Sequence, residues 1–260
     1  MVMCDYSIEG SGPPLVLIHG IGAARDTWRF MMPTLVERFT VITYDLRGHG
    51  TSPMTALPFG LDELVADLEE LRDHLGIERA HFAGHSLGGM IGPAYARLYP
   101  NRCLSLGILS TAAFRTEDDR AKVNAVVTAM EDRGIANVLE TLVDRWYTDD
   151  FIEANPLIVR RRLDQVIATD ADVFLNVFRV YATTEMAPWL HEVRTPSLVL
   201  TGEHDGGCNP RLNQLIDNAL PNSELVILPN VKHSILLEAG EVVAAQLSRF
   251  IDDVSRSQHA

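Results

Sequence analysis

Six short apolar runs constrain this chain more than any other feature: PLVLIHG (14–20), TVITYD (40–45), AHFAGH (80–85), LSLGIL (104–109), SLVLTG (197–202) and ELVIL (224–228). Their apolar residues come in succession rather than alternately, so a strand made from any of them has no face fit for water. A parallel sheet covered by helices on both sides meets that demand. The clearest helical pattern lies between 61 and 75, where Leu61, Leu64, Val65, Leu68, Leu71 and Leu75 recur at steps of three and four. Asp62 and Glu63 suit its N-terminal dipole, and Gly76 follows as a stop. Strand and helix in alternation predict an α/β fold: a mostly parallel central sheet flanked by helices, with its ligand site at the carboxyl ends of the strands.

One interval breaks the alternation. From Thr111 to Arg194 the sequence holds only helix-like stretches, 117–134, 135–146, 150–167 and 170–185. They predict a helical cap over residues 112–193, inserted between two strands of a core made of 1–111 and 194–260, and lying over the strand ends. The segment before PLVLIHG is short enough that one leading strand is expected to be missing, and the tail after Ile251 is expected to fray.

With 47% hydrophobic residues, 260 residues are enough for one large core. A net charge of −13 argues against nucleic acid and anionic membrane as partners. Cys4, Cys103 and Cys208 are odd in number and lack metal-type spacing, which fits a reducing, cytoplasmic compartment better than a disulfide framework. No basic stretch followed by an apolar one opens the chain, and no apolar run reaches about 18 residues, so neither a leader nor a membrane span is expected. A small molecule is the expected partner; self-association is left open.

Gly84-His85-Ser86-Leu87-Gly88 stands between the run AHFAG and an apolar helical stretch. A serine flanked at two residues on either side by glycine fits a sharp strand-to-helix turn that thrusts the hydroxyl outward, where it can serve as a nucleophile. Such a serine needs a base and an acid to orient that base. Asp205 lies just past the run SLVLTG, with Glu203 and Asp45 as competitors. For the base, His233 follows the last run, but His19, His49, His81, His85 and His204 are also available, and the residues alone do not choose among them. Pro93 falls inside the helix behind Ser86, where it removes a hydrogen bond and predicts a kink.

The order Ser86, Asp205, His233, together with HGIG (19–22) and YDLRGHGTS (44–52), resembles the α/β-hydrolase superfamily from about Leu15 to Ile251, most closely small bacterial carboxylesterases and enol-lactonases. The resemblance implies a Ser86-Asp205-His233 triad, assigns His233 by order and position, and gives Asp45 the task of fixing a loop. The histidine loop departs from the common Gly-x-Gly-His, reading Pro229-Asn230-Val231-Lys232-His233. Leu87, at a helix N-terminus, is expected to donate one oxyanion-hole N–H, and the resemblance adds Ile21 for the other.

The implied chemistry is cofactor-free hydrolysis of a small ester or lactone through an acyl-enzyme, with no metal. Carbon–carbon bond hydrolysis and peroxide delivery to the acyl-enzyme are alternatives on the same residues; a receptor-like binding protein is the alternative of a different class. Trp146, Tyr147 and Phe178, with Phe174 and Tyr181, are candidate pocket residues in the cap. Arg160, Arg161 and Arg162 stand consecutively, about 100° apart on a helix, so one of them, with Arg161 the candidate, is expected to face a substrate carboxylate.

Overall fold

The computed structural model describes residues 2–259. All six apolar runs are strands: β2 (Pro14–Ile18), β3 (Thr40–Tyr44), β4 (Ala80–His85), β5 (Cys103–Leu109), β6 (Ser197–Gly202) and β7 (Ser223–Leu228). They follow β1 (Tyr6–Glu9), whose four residues carry no apolar run and lie half exposed on the sheet edge. The leading segment therefore supplies one strand. It pairs antiparallel with β3, while every other pairing in the seven-stranded order β1-β3-β2-β4-β5-β6-β7 is parallel. Successive residues of β2 enter different cores, Val16 and Ile18 on one face, Leu15 and Leu17 on the other. This is why the run had to be apolar throughout.

Strand order fixes where a ligand can sit. The chain steps from β2 outward to β3, then returns to place β4 on the other side of β2, with Ile18 opposite Gly84. At such a reversal the loops leaving two neighbouring strands diverge and leave a crevice at their carboxyl ends. Those loops are residues 19–22 and 86–87.

The helices are α1 (Met32–Leu35), α2 (Leu61–His74), α3 (Gly88–Leu98), α4 (Glu117–Arg133), α5 (Ile135–Trp146), α6 (Asp149–Ala154), α7 (Pro156–Ala168), α8 (Ala171–Thr183), α9 (Pro210–Ala219), α10 (Ile235–Glu238) and α11 (Gly240–His259). α3 continues through Pro93. The helix expected over 150–167 is two, because Pro156 opens α7 and holds Asn155 in a non-helical conformation (φ −132°, ψ 48°). Instead of fraying at Ile251, the last helix continues, since Val254 still packs into the core.

Five helices, α4 to α8, stand between β5 and β6. Met130, Val138, Leu139, Leu142, Val166 and Phe174 give them a small core of their own, and Val173, Val177 and Val180 of α8 join the main one. Among the described residues no helix is long and apolar enough to cross a membrane.

Candidate active site

Only Ser86 and Leu87 separate β4 from α3. Ser86 adopts φ 57°, a left-handed conformation that costs an L-residue roughly 1–2 kcal/mol. Its neighbours over-determine it: Ser86 N–H donates to Leu109 O (2.9 Å), and Ser86 O accepts from Gly89 N (3.0 Å) and Thr111 Oγ1 (2.8 Å). Both glycines are required by close approach. A Cβ on Gly84 would stand 2.0 Å from Gly88 O, and one on Gly88 2.0 Å from Ile18 O. The spacing seen in the sequence is thus the spacing at which strand, turn and helix can touch.

Asp205 follows β6 and is buried. Its Oδ1 accepts the N–H groups of Gly207 (2.9 Å) and Cys208 (2.8 Å), and its Oδ2 lies 2.7 Å from His233 Nδ1. Burial alone would raise the carboxyl pKa, but the imidazolium beside it and these N–H donors win, and Asp205 is held below the usual carboxylate range. For His233 burial opposes the charged ring, and the Asp205 carboxylate overrides that, holding the ring well above an ordinary histidine. Because Nδ1–H donates to Asp205, Nε2 is the nitrogen left for proton transfer.

The histidine loop reaches this position without the common glycines. Asn230 takes φ 58°, which asparagine tolerates better than most residues, and its N–H donates to Glu203 Oε2 (3.1 Å). The loop then presses on Gly202, where a Cβ would stand 2.4 Å from the carbonyls of Val231 and Lys232. Glu203 is half exposed and occupied with Asn230, and Asp45 accepts from Arg25 N (2.7 Å) and Thr51 N (3.1 Å); neither meets His233. His85 Nε2 donates to His233 O (3.0 Å), tying the turn beside Ser86 to the backbone of the histidine loop. Burial pushes the His85 pKa down to about 3, so this ring is neutral.

Across the crevice lies the loop 19–22. His19 Nδ1 donates to Gly20 O (2.7 Å) while its Nε2 accepts from Leu46 N–H (2.9 Å), which fixes the tautomer. Gly22 N–H donates to His49 Nε2 (3.2 Å), so His49 offers its Nδ1–H to Arg47 O (3.1 Å). Both rings are neutral, since burial holds His19 well below the ordinary value and His49 at about 4. Among the described residues the N–H groups of Ile21 and Leu87 have no acceptor. Those are the two groups expected of an oxyanion hole. A hydrogen bond into Gly20 O polarises the peptide whose N–H belongs to Ile21.

A cavity of about 310 Å³ adjoins Ser86, His233, Gly20 and Ile21, and its other wall comes from α4, α5, α7 and α8. Trp146, Phe174, Phe178 and Tyr181 line it. Two of the candidate residues do not. Tyr147 is extended at the end of α5, which turns its ring away into a cluster with Val159 and Leu237, stacked on Phe151 at 5.3 Å and 9°. Arg161 is exposed and paired with Asp26 (2.8 Å), and Arg160 with Asp164 (2.9 Å). The inward member of the trio is Arg162, whose Nη2 donates to Ile21 O (2.8 Å) and Nη1 to Gly22 O.

Sequence reasoning missed Arg115, a buried lining residue whose guanidinium lies over the Tyr181 ring at 4.3 Å and whose Nη1 donates to the carbonyls of Tyr181 and Thr184 (both 3.1 Å), while Nε and Nη2 have no hydrogen-bond partner among the described residues. It also missed Cys208, whose Sγ lies 3.1 Å from Tyr181 Oη. Cys208, Asp205 and His233 bring ligand-type atoms within 4.8 Å of one another, but both Asp205 oxygens are already committed to N–H donors, an arrangement suited to proton transfer rather than metal ligation.

Comparison with known proteins agrees with the fold. Residues 13–153 match the model of the alpha/beta hydrolase fold. The chain is 28% identical over 229 residues to 3-oxoadipate enol-lactonase 2 of Acinetobacter baylyi, covering 87% of this chain and 85% of that one. It is 27% identical over 259 residues to lipase 3 of a Moraxella species, covering 95% and 79%. A solved hydrolase from Pseudomonas aeruginosa superposes with a TM-score of 0.87 at 28% identity, over 95% of this chain and 93% of that one.

Proposed function

The chain belongs to the alpha/beta hydrolase fold family, and from that premise we propose that it is a serine hydrolase cleaving a small carboxylic ester or lactone through an acyl-enzyme. The observation that carries the reading is the His233–Asp205 contact of 2.7 Å, which leaves His233 Nε2 for the cavity that Ser86 also lines. In this reading Ser86 Oγ attacks the carbonyl carbon while His233 takes the hydroxyl proton. The C–O bond to the alcohol breaks and that oxygen receives the proton from His233. Water then repeats the sequence, attacking the acyl carbon, giving its proton to His233 and releasing the acid from Ser86.

Asp205 steadies the imidazolium formed in each half-reaction. The N–H groups of Ile21 and Leu87 receive the developing oxyanion; they are held before substrate arrives, so little reorganisation opposes the reaction. Residues 112–193 act as the cap, closing the cavity against water. Unpaired Cys4, Cys103 and Cys208 suit a cytoplasmic site of action.

Likeness to an enol-lactonase and to a lipase supports carbonyl–oxygen cleavage over a receptor role. The test is turnover of p-nitrophenyl acetate, a γ-lactone and a ring-cleavage dienoate by the wild type and Ser86→Ala. Hydrolysis of the first two, lost in the variant, is the expected result. Cleavage of the dienoate alone would move the reading to carbon–carbon hydrolysis, and saturable binding without turnover would move it to a receptor.

A further inference from the structure

The loop carrying Ile21 is gripped from two sides. From the sheet side, His19 holds Gly20 O and His49 holds Gly22 N–H. From the helical insertion, the single guanidinium of Arg162 on α7 holds Ile21 O and Gly22 O. The Ile21–Gly22 peptide is therefore fixed at both ends, its carbonyl by the insertion and its N–H by the core. Gly22 has φ 56°, and a Cβ there would stand 2.5 Å from Phe174 of α8, so a second residue of the insertion closes over the same peptide.

Arg162 has no carboxylate partner among the described residues; besides the two carbonyls it stacks on Trp146, 5.3 Å from the ring centroid. Burial lowers its pKa, with Tyr147 and Asp26 acting in the opposite sense. An ion so placed is held by its fit to two carbonyls rather than by charge neutralisation. That fork geometry belongs to arginine and not to lysine.

We infer that Arg162 is a positioning residue through which the helical insertion sets the orientation of the Ile21 N–H. With the insertion docked, both carbonyls point at the guanidinium and the preceding N–H is left facing the cavity. With α7 displaced, the loop keeps its two histidine contacts but loses the restraint on the carbonyl side of the Ile21–Gly22 peptide, and a change in the Ile21 backbone angles that tilts its N–H away from the cavity becomes less costly. Substrate binding and oxyanion stabilisation are then separable: the wall from α4, α5 and α8 serves the first, and the contact of Arg162 with Ile21 and Gly22 the second. The inference rests on the reading of Ser86 as nucleophile and Ile21 N–H as oxyanion donor.

The experiment compares wild type, Arg162→Gln and Arg162→Lys with p-nitrophenyl acetate. It also measures inhibition by a boronic acid, which forms a tetrahedral adduct on a nucleophilic serine, and by the non-hydrolysable ether analogue of the ester. Arg162→Gln is expected to lower kcat by about 10- to 100-fold with KM within about threefold, because a misaligned donor is felt in the transition state and not in the ground state. Boronate affinity should fall with kcat while ether affinity holds, and methylguanidinium added to Arg162→Ala should restore part of the rate. Arg162→Lys, a point charge without the fork, should stay impaired.

An unchanged kcat, a loss confined to KM, or equal loss of boronate and ether affinity would overturn the inference. If Arg162→Gln fails to fold, Arg162→Lys and the rescue of Arg162→Ala decide. Wild-type turnover that survives Ser86→Ala would instead overturn the underlying function. Activity that depends on Ser86 but not on Arg162 would overturn only the role of Arg162.

Discussion

His85 and His233 lie 148 positions apart, yet the ring of one donates to the backbone carbonyl of the other at 3.0 Å. The residue beside Ser86 thus holds the loop that carries His233. His85→Ala is expected to lower kcat by about tenfold or more, and His85→Gln, whose amide N–H can reach a similar point, to recover most of it. Equal activity of wild type and His85→Ala in steady-state assays would remove this contact from the account.

Asp205→Asn should cost far more turnover than Glu203→Gln, since only Asp205 meets His233 Nδ1 and only its loss allows the wrong tautomer. Ser86→Ala should cost on the order of 10³-fold or more. Asp45→Asn should lower Tm while leaving kcat within severalfold, because its oxygens are spent on the backbone of Arg25 and Thr51. A folded, silent Asp45→Asn would show that the wrong acid has been chosen.

A histidine base of ordinary pKa would place the onset of activity at about pH 6.5. With Asp205 holding the His233 pKa well above its ordinary value, the midpoint of kcat/KM against pH should lie higher, the rate rising as the ring loses its proton. A profile whose rise is complete by pH 6 would contradict that pairing.

Stability should run with pH through other histidines. Burial holds His19 well below the ordinary value, His49 and His81 at about 4 and His85 at about 3. Each is neutral when folded at pH 5 and largely charged when unfolded, where the pKa is about 6.5. Their contribution is present in full above about pH 6.5 and is lost as the pH falls toward 4. Denaturant unfolding should report uptake of about two protons on unfolding at pH 6.5, rising toward about four at pH 5; a flat profile would mean that these rings ionise in place.

Arg115 shifts the expectation about substrate charge. Arg160 and Arg161 are paired at the surface and Arg162 is spent on carbonyls, whereas Arg115 lines the cavity with two nitrogens unpartnered. A p-nitrophenyl ester with a terminal carboxylate should be favoured in kcat/KM over its methyl ester, and Arg115→Gln should shrink that ratio by about tenfold. Arg161→Ala should leave the ratio as it was. No preference in the wild type, or one that Arg161→Ala abolishes, would count against Arg115.

What could be read from the sequence followed its physics. The central strands were legible because their residues are apolar on both faces; β1, on an edge, carries no such mark. Ser86 was legible because Gly84 and Gly88 are the only residue type that fits 2.0 Å from a carbonyl oxygen. His233 needed the family likeness, since Asn230 does by its φ of 58° what glycine does elsewhere. Trp146 and Tyr147 could not be told apart because the helix ends between them and sends their rings to different places. That one of three consecutive arginines faces inward follows from helical phase; that its partners are main-chain carbonyls does not, for a carbonyl leaves no trace in residue identity.

The strand order also sets a timetable for synthesis and refolding. β2 and β4 meet only after the chain has passed through α1, β3 and α2, and β5 must wait for the whole helical insertion to pass before β6 can pair with it. Contacts so distant along the chain form late, after the closure entropy of the intervening segment has been met. A nascent chain halted after β5 owns Ser86 but has made neither Asp205 nor His233. On the function proposed, Ser86 spends that interval without the base and acid assigned to it, and turnover is expected to begin only when the last quarter of the chain has joined the sheet.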